Sequence, residues 1–459
     1  MLKRLAVLYS VILFAPFAWA APASAAVHAI VDVNVVPMDR ERVIASQTVV
    51  IRDGRIAEMG PSDRVRVPQD AQRIDGRGRY LMPGLAEMHA HIPPRPRNEQ
   101  EALDVLFLYA ANGITFARGM LGAPQHLQLR ERAARGEIVS PRIYTSGPSL
   151  NGNSVASPAA GRAMVAEQKR AGYDFLKIHP GLDRARFDAI VEAARQHGID
   201  FAGHVSYLYG LPRALEAGQV TVDHLDEYMR PLLHDGSRLA NEAPVFFGIN
   251  LVADVDDAKI VPVARRTRDA GVWNVPTQSF IEHLALPEPD AEALGRRPEM
   301  QYLPPATVRQ WVQRKKEFVA DAGYDPEVAK RFVDIRRKLI KALHDEGAGL
   351  LLGSDAPQLF NAPGFSMHHE LRMLVDAGLT PYQALATGNV NVAKFLGEEN
   401  EFGTVATGKR ADLILLEANP LESVANVQKR AGVMLNGSWL PEADIQAELK
   451  RIAARAARN

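Results

Sequence analysis

The 459-residue sequence contains no cysteine. Disulfide bonds, thiolate metal sites and cysteine nucleophiles are therefore excluded, so any metal must be held by histidine, carboxylate or a modified side chain. The sequence also lacks an excess of either charge, because 54 lysines and arginines balance 54 acidic residues. This balance predicts no nucleic-acid partner, since proteins that bind nucleic acids carry a basic surface.

Long hydrophobic runs are almost absent. The N-terminal "MLKRLAVLYSVILFAPFAWA" combines two basic residues, a short apolar run and small residues, which indicates a signal peptide over residues 1–25. An uncleaved anchor is the alternative, but the apolar run is short for a membrane span. We therefore expect a periplasmic or secreted protein with no stable membrane anchor, whose mature chain begins near Ala21 or Ala26.

Short strands and turns flank a long alternating segment. Residues 27–80 and 389–440 are rich in β patterns, and each is too small to bury a core alone, so we expect them to pair in one small β-sandwich. Residues 81–388 alternate between strand and helix, which predicts an α/β fold of the (β/α)8 TIM-barrel type. An open doubly wound sheet is the alternative, but it usually carries a glycine-rich phosphate turn that is missing here. Residues 441–459 predict a C-terminal tail helix.

Eight strands are predicted within the alternating segment. The segment between the last two is unusually long and contains the helical "TVRQWVQRKKEFVADAG", which predicts a lid or a contact in a homo-oligomer. The predicted strands span residues 82–91, 113–118, 142–147, 173–179, 199–204, 220–224, 272–277 and 348–354.

Six polar residues lie at the C-terminal ends of these strands. His89 and His91 end the first strand and share one face, because side chains two apart on a strand point the same way. A single such residue is usually structural, but in this type of barrel the C-terminal strand ends meet at the active-site face. Four imidazoles and one carboxylate suit zinc or a similar divalent ion. The remaining four residues are Lys177, His204, His224 and Asp355.

Lys177 raises a separate question of charge. An ammonium beside two dications is strongly disfavoured, so either the centre holds one ion or Lys177 is not an ammonium. A neutral lysine reacts with CO₂ to form a carbamate, which is an anionic ligand able to bridge two ions. In that arrangement His89, His91 and Asp355 bind one ion, and His204 and His224 bind the other.

The motifs around these residues resemble those of the amidohydrolase superfamily, and are most similar to its binuclear prolidase-like and imidazolonepropionase-like members. "PGLAEMHAH" resembles the opening metal strand and "GYDFLKIH" the carboxylated-lysine strand, while "GHVS", "DHLDEY" and "GSDAP" resemble the remaining metal strands. "MHHELRMLVDAGLTPYQALATGNVNVAKFLG" and "GTVATGKRADLILLEANPLESVANV" resemble the last helices and the returning strands, so the resemblance spans residues 27–440. It implies two divalent ions, expected to be zinc, and a carboxylated Lys177.

The sequence departs from the superfamily pattern in two places. Glu87 stands where an aspartate is common before the histidine pair, which affects a contact behind the metal ligands. The loop "SGPSLNGNSVASP" after the third strand contains no histidine, although many dipeptidases of this group carry one there. The second departure leaves the exact substrate open.

The resemblance also implies roles for individual residues. A hydroxide between the two ions is expected to attack the scissile carbonyl, with Asp355 taking the proton and returning it to the leaving amine. Tyr228 is predicted either to donate to the developing oxyanion or only to line the pocket. His179 is a candidate for a place behind the metal ligands. Gln278 and His369 are candidate substrate contacts, although His369 fits better as a packing residue at the start of the last helix.

We therefore expect an exported metal-dependent amidohydrolase that cleaves a dipeptide, including Xaa-Pro, or an N-acyl amino acid. One alternative is a metallohydrolase of a lactone, a cyclic amide or a phosphotriester. Another is a non-enzymatic periplasmic binding protein. The last is disfavoured, because solute binding needs no complete set of metal ligands and no hinge between equal lobes is visible.

Overall fold

The computed structural model describes residues 27–458. The predicted signal peptide over residues 1–25 lies outside these residues, so it stays a prediction. No helix in the described part of the chain is both long and apolar enough to span a membrane.

The strands and α-helices of the described residues alternate through most of the chain. The strands are β1 (His28–Val35), β2 (Ile44–Arg52), β3 (Arg55–Pro61), β4 (Gln72–Asp75), β5 (Tyr80–Pro83), β6 (Leu85–Ala90), β7 (Ile114–Gly119), β8 (Arg142–Thr145), β9 (Phe175–Ile178), β10 (Asp200–Gly203), β11 (Thr221–Asp223), β12 (Trp273–Val275), β13 (Leu413–Leu416), β14 (Arg430–Leu435) and β15 (Ser438–Pro441). The helices are α1 (Glu99–Ala111), α2 (Pro124–Ala134), α3 (Pro158–Ala171), α4 (Arg184–His197), α5 (Gly210–Ala217), α6 (Ile260–Asp269), α7 (Gln278–Ala285), α8 (Ala291–Gly295), α9 (Pro305–Ala320), α10 (Pro326–Asp345), α11 (Ser366–Asp376), α12 (Pro381–Ala386), α13 (Val390–Leu396) and α14 (Glu442–Ala456).

The two ends of the described chain share one sheet. Its strand order is β15-β14-β13-β5-β1-β2-β3, and β4 also pairs with β1. β5 and β13 run antiparallel with Leu81 opposite Leu415, which joins the N-terminal strands to the C-terminal ones. Apolar side chains from both parts, among them Ile30, Val49 and Leu413, form a core of their own. The sheet is therefore held together by pairing between segments more than 300 residues apart.

The central segment forms two parallel sheets. One has the order β6-β7-β8 and the other β12-β11-β10-β9, with helices between successive strands in the chain. The fold is thus mixed α/β. Isolated parallel bridges connect the sheet ends: Ser146 to Phe175, Asn274 to Leu350, and Ala90 to Ala356.

Two of the predicted strands differ from those observed. The strand predicted over 82–91 is divided at Gly84, because β5 pairs with β13 while β6 pairs with β7. A Cβ atom at Gly84 would lie 2.2 Å from the Thr115 hydroxyl oxygen, so only glycine fits this crossing. The strand predicted over 348–354 is reduced to the single bridge at Leu350.

The long segment between β12 and residue 348 is packed onto the rest of the fold through α9. Lys315 of α9 is fully buried, and its Nζ donates to the carbonyl oxygens of His283, Leu286 and Pro289 at 2.7, 2.9 and 2.7 Å. The first of these carbonyls lies in the last turn of α7, where helix carbonyls lack partners within the helix, and the other two follow that turn. Lys315 therefore closes the C-terminal end of α7 and fixes the start of the insertion.

We predict that Lys315→Met lowers the free energy of unfolding by about 2–4 kcal/mol, because three buried carbonyl oxygens lose their donor. Chemical denaturation followed by circular dichroism measures this change. Lys316→Met is the matched control, since Lys316 is half exposed and pairs only with Glu292 at the surface. The control should change the stability by less than about 1 kcal/mol. Equal effects of the two substitutions would contradict the proposed cap.

Candidate metal centre

Three of the candidate ligands meet where β6 ends beside the segment that follows Leu350. His91 Nε2 lies 2.7 Å from Asp355 Oδ1, and His89 Nε2 lies 3.5 Å from the same oxygen. Ligand atoms about 2.1 Å from one tetrahedral ion are about 3.4 Å apart, which the 3.5 Å spacing matches, whereas the 2.7 Å spacing is that of a hydrogen bond. The potential ligand atoms of these three residues all lie within 4.8 Å of one another.

The other three candidates adjoin this group. Lys177 Nζ lies 3.4 Å from His89 Nε2. The His224 ring centroid is 4.5 Å from that of His89 and 4.4 Å from that of His204. The structure thus brings together all six residues predicted from the strand ends.

Hydrogen bonds from the protein hold the Nδ1 atoms of two of these imidazoles. His204 Nδ1 bonds to Asp226 Oδ2 at 2.7 Å and His224 Nδ1 to the Thr277 hydroxyl at 2.8 Å. This leaves the Nε2 atoms for a ligand, and the buried Nε2 of His224 has no hydrogen-bond partner among the described residues. Histidines that bind metals are held in this way through their other nitrogen. The donor set therefore fits divalent metal ions.

Burial sets the protonation of the centre. It lowers the pKa of His89 and of His224 well below the usual histidine value, so both imidazoles are neutral, which is the form that binds metal. Burial also lowers the pKa of Lys177 to about 8, although Asp223 and Asp355 act in the opposite direction. About a tenth of Lys177 is consequently an uncharged, nucleophilic amine at pH 7.

The carboxylate behind His89 comes from Asp223. Its Oδ2 lies 2.8 Å from His89 Nδ1, and its Oδ1 accepts a 2.6 Å hydrogen bond from Thr221. The fully buried Arg118 guanidinium lies 3.3 Å from Oδ1 and donates to the Met88 carbonyl at 2.7 Å. Asp223 therefore orients one metal-ligand candidate while Arg118 compensates its charge.

Glu87 connects the end of β6, where His89 and His91 lie, to the segment that carries Asp355. Its carboxylate accepts hydrogen bonds from the backbone N–H of His89 at 3.0 Å, and from the backbone N–H of Ser354 at 2.8 Å. Burial raises the pKa of Glu87 to about 8, and the hydrogen bonds from Ser354 oppose that shift. The residue thus lies behind the ligands, at the place predicted for it.

Several strand-end residues adopt left-handed backbone conformations. The φ angles are +62° at His224, +47° at Thr277 and +64° at Asp355. Such conformations cost free energy in residues other than glycine and concentrate at functional sites. At His224 the turn also explains why Asp223 and His224, although adjacent in sequence, both approach His89. The close packing continues at Gly203, where φ is +120° and a Cβ atom would lie 2.8 Å from Lys177 Cδ.

The structure contradicts the predicted roles of two residues. Tyr228 is fully buried, and its hydroxyl bonds to Asn274 Oδ1 at 2.7 Å and to Thr267 at 3.0 Å, so it is occupied in packing between β12 and α6. It is therefore not placed to donate to an oxyanion. Gln278 is also fully buried, and its side chain bonds to Glu282 and Arg336 rather than lining an open pocket.

His369 and His179 have different surroundings. His369 Nε2 bonds to Glu299 at 2.8 Å on the first turn of α11, which fits the packing role rather than a substrate contact. The His179 ring stacks on His204 at a centroid distance of 4.8 Å, and burial lowers its pKa. His179 thus lies directly behind one candidate ligand, as expected.

Sequence reasoning missed the residues behind the ligands: Arg118, Asp223, Asp226 and Thr277. Only Asp223 carried a usable signal, because it lies two residues after Thr221 on the same face of β11 and directly before His224. The other three lie on different elements and become neighbours of the centre only through the tertiary fold.

Together the elements define a mixed α/β protein whose parallel strands gather candidate metal ligands at their C-terminal ends. Residues 80–440 match the model of the amidohydrolase family. The chain therefore belongs to the amidohydrolase family, whose members are enzymes that typically depend on two metal ions. The predicted superfamily and the predicted enzyme class are confirmed.

Individual relatives are distant. A dihydroorotase of Anaeromyxobacter dehalogenans is 25% identical over 382 residues, covering 81% of this chain and 84% of the relative. An imidazolonepropionase of Symbiobacterium thermophilum is 25% identical over 399 residues, covering 82% and 84%. Among solved structures, a putative prolidase from Bifidobacterium longum has a TM-score of 0.69 and 22% identity, covering 94% of this chain and all of the other. A Xaa-Pro dipeptidase with bound methionine has a TM-score of 0.65 and 18% identity, covering 91% and 100%.

We predict that Asp223→Asn weakens metal binding about 10–100-fold, because His89 loses the carboxylate that orients its ring. Competition with a chromophoric chelator measures the affinity without reference to turnover. Asp200→Asn is the control, since Asp200 is exposed at the opposite end of β10. Unchanged metal affinity in a folded Asp223→Asn variant would show that Asp223 does not support metal binding.

Proposed function

We propose that this chain hydrolyses a small amide, either a dipeptide, including Xaa-Pro, or an N-acyl amino acid. The observation that carries the proposal is the convergence of four imidazoles, a buried lysine and a carboxylate at neighbouring strand ends. The fold is shared with proteins named prolidase and Xaa-Pro dipeptidase, which makes dipeptides the first substrates to test.

The two parallel sheets are proposed to close into one (β/α)8 barrel. Three isolated bridges support closure, because they connect β8 to β9, β12 to Leu350, and Ala356 back to β6. A closed ring of this kind directs all the C-terminal strand ends to one mouth. The N- and C-terminal strands then form the separate sheet beside the barrel. Because β5 belongs to that sheet, the proposed barrel begins at β6 rather than at residue 81.

Two divalent ions, with zinc as the first choice, are proposed to occupy the centre. His89, His91 and Asp355 are assigned to one ion, His204 and His224 to the other, and carboxylated Lys177 to both. The buried Nζ of Lys177 lies 3.4 Å from His89 Nε2, where an ammonium would repel a bound cation and a carbamate would attract it. When bound, such ions supply Lewis acidity and lower the pKa of water.

Asp355 is proposed to accept the proton of the attacking water and to deliver it to the leaving nitrogen. Its Oδ1 faces His91, and its Oδ2 accepts a 3.3 Å hydrogen bond from Gln358, so the carboxylate is held on both sides. The left-handed backbone at Asp355 and the Glu87 contact to Ser354 keep the carboxylate at the strand end.

A second candidate function uses the same residues on a cyclic amide, a lactone or a phosphotriester. It is favoured by the relatives named dihydroorotase and imidazolonepropionase, which cover more than four fifths of this chain. For both candidates we propose that the reaction takes place in the periplasm or outside the cell. The basic, apolar and small-residue pattern of the N-terminus supports this location.

We predict that Lys177→Ala loses most bound metal and the activity, because the bridging anion is gone. Formate or propionate should partly restore both by filling the space with a carboxylate. Metal content measured by mass spectrometry, beside the rate, follows the effect. Lys177→Arg should fail as well, since a guanidinium does not carboxylate. Full metal content and activity in Lys177→Arg would refute the carbamate, and Lys169→Arg at the surface is the control.

The proposed reaction is tested with a library of dipeptides and N-acetyl amino acids in the presence of Zn²⁺, Mn²⁺ or Co²⁺. We expect Asp355→Asn to retain at least one metal ion and to lose at least about 10²-fold in kcat, because an amide cannot accept the proton. Asp376→Asn, at the end of α11, is the surface control. Much faster wild-type hydrolysis of lactones, cyclic amides or phosphotriesters would favour the second candidate, and a fully active Asp355→Asn would remove the assigned proton transfer.

A further inference from the structure

An aromatic side chain covers one of the candidate metal ligands. The Phe247 ring centroid lies 5.5 Å from that of His224, and the two rings are tilted by 46°. His224 is almost completely buried, whereas Phe247 is only partly buried. Phe247 therefore presents apolar surface directly beside the centre.

The backbone around Phe247 is strained. Phe246 and Phe247 have φ angles of +36° and +58°, and Gly248 follows with φ +90°. Aromatic residues seldom adopt this region, and consecutive examples are held only by their surroundings. A Cβ atom at Gly248 would lie 3.0 Å from Met229 Cβ, so the chain passes close to the residues that follow β11. This conformation brings Phe247 beside His224 and Phe246 beside Phe318, while both rings also contact Phe280.

Phe246 and its neighbours form a firm support behind Phe247. The Phe246 ring lies 5.0 Å from Phe318 of α9 and 6.1 Å from Phe280 of α7. Phe280 in turn contacts Phe247 edge-on at 5.9 Å. Rings at these separations attract one another beyond the effect of burial alone. Phe247 is consequently a partly buried member of a packed aromatic cluster, as are Phe246 and Phe318.

Charged groups that follow His224 in the sequence, and the buried Arg336, are occupied within the protein. Asp226 bonds to His204, and Glu227 pairs with Arg230 at 2.9 Å. Arg336 is fully buried and donates to the carbonyl oxygen of His224 at 2.8 Å. None of these four groups is therefore free to pair with a charged substrate side chain beside Phe247.

Apolar residues also lie exposed on a loop from a neighbouring strand end. Tyr207 and Leu208 follow His204 by three and four residues and retain 48% and 45% of their accessible surface. These two side chains offer exposed apolar surface on the loop that follows a candidate ligand in the sequence.

We infer that Phe247 forms the wall of a subsite for an apolar, preferably aromatic, side chain of the substrate. The inference rests on the proposed amide hydrolysis and narrows its substrate class to amides of residues such as phenylalanine and leucine. Phe247 acts in it as a specificity-determining residue, and the assigned metal ligands and Asp355 act on every substrate alike.

The inference is tested by comparing kcat/KM for N-acetyl-phenylalanine, N-acetyl-leucine and N-acetyl-alanine in the zinc-loaded wild type and in Phe247→Ala. We expect the wild type to favour the phenylalanine substrate over the alanine substrate by about tenfold or more, and Phe247→Ala to lose most of that ratio. Phe247→Leu should keep the preference for leucine while losing that for phenylalanine. Val245→Ala is the control, because Val245 is 58% exposed on the same loop.

Calorimetric binding of phenylalanine and alanine to the same zinc-loaded proteins separates this inference from the reaction. If no amide is cleaved but phenylalanine still binds more tightly than alanine through Phe247, the proposed hydrolysis fails and the subsite stands. A wild type without apolar preference in rates and binding would overturn the subsite. An equal loss on all ligands in Phe247→Ala, with Val245→Ala unaffected, would also overturn it and show that Phe247 only supports the fold.

Discussion

The Asp223 carboxylate is the group on which the buried centre depends. It lies 2.8 Å from His89 Nδ1, 3.3 Å from the Arg118 guanidinium and 3.9 Å from Lys177 Nζ. A cluster of imidazoles and cationic groups cannot be kept away from water unless an anion compensates it, because unpaired charges are costly in a protein interior. Asp223 supplies one such anion next to His89, and Asp355 supplies a second next to His91.

Backbone conformation does the remaining positioning. A regular strand directs alternate side chains to one face, yet Asp223 and His224 are consecutive and both reach His89. The left-handed φ at His224 makes this possible, and Asp355 and Thr277 share the same conformation at other strand ends. Glu87 then fastens β6 to the segment of Ser354 through two backbone N–H groups. The strain is tolerated because these hydrogen bonds and the close packing over-determine each conformation.

Among the elements around the centre, some stabilise the fold and others are assigned to substrate selectivity. Lys315 anchors the insertion to the end of α7, and α7 carries Phe280 into the aromatic cluster. That cluster supports Phe247 beside His224, so a contact made for packing also shapes the proposed substrate subsite. The sheet built from both ends of the described chain lies apart from these contacts and has its own apolar core. Hydrolysis and selectivity are thus assigned to different residues of one connected structure.

The sequence by itself determined which residues could form the centre and the order of strands and helices. The strand predicted over residues 199–204 is observed as β10 at Asp200–Gly203, since a short apolar run after the turn at Gly198 is a local signal. The six strand-end residues were recognisable because period-two alternation and parallel strands direct them to one edge. Tertiary structure alone decided that Tyr228 packs against Asn274, that Arg118 compensates Asp223, and that Phe247 covers His224. Such contacts join residues far apart in the chain, and which neighbours they meet depends on long-range packing that local patterns do not encode.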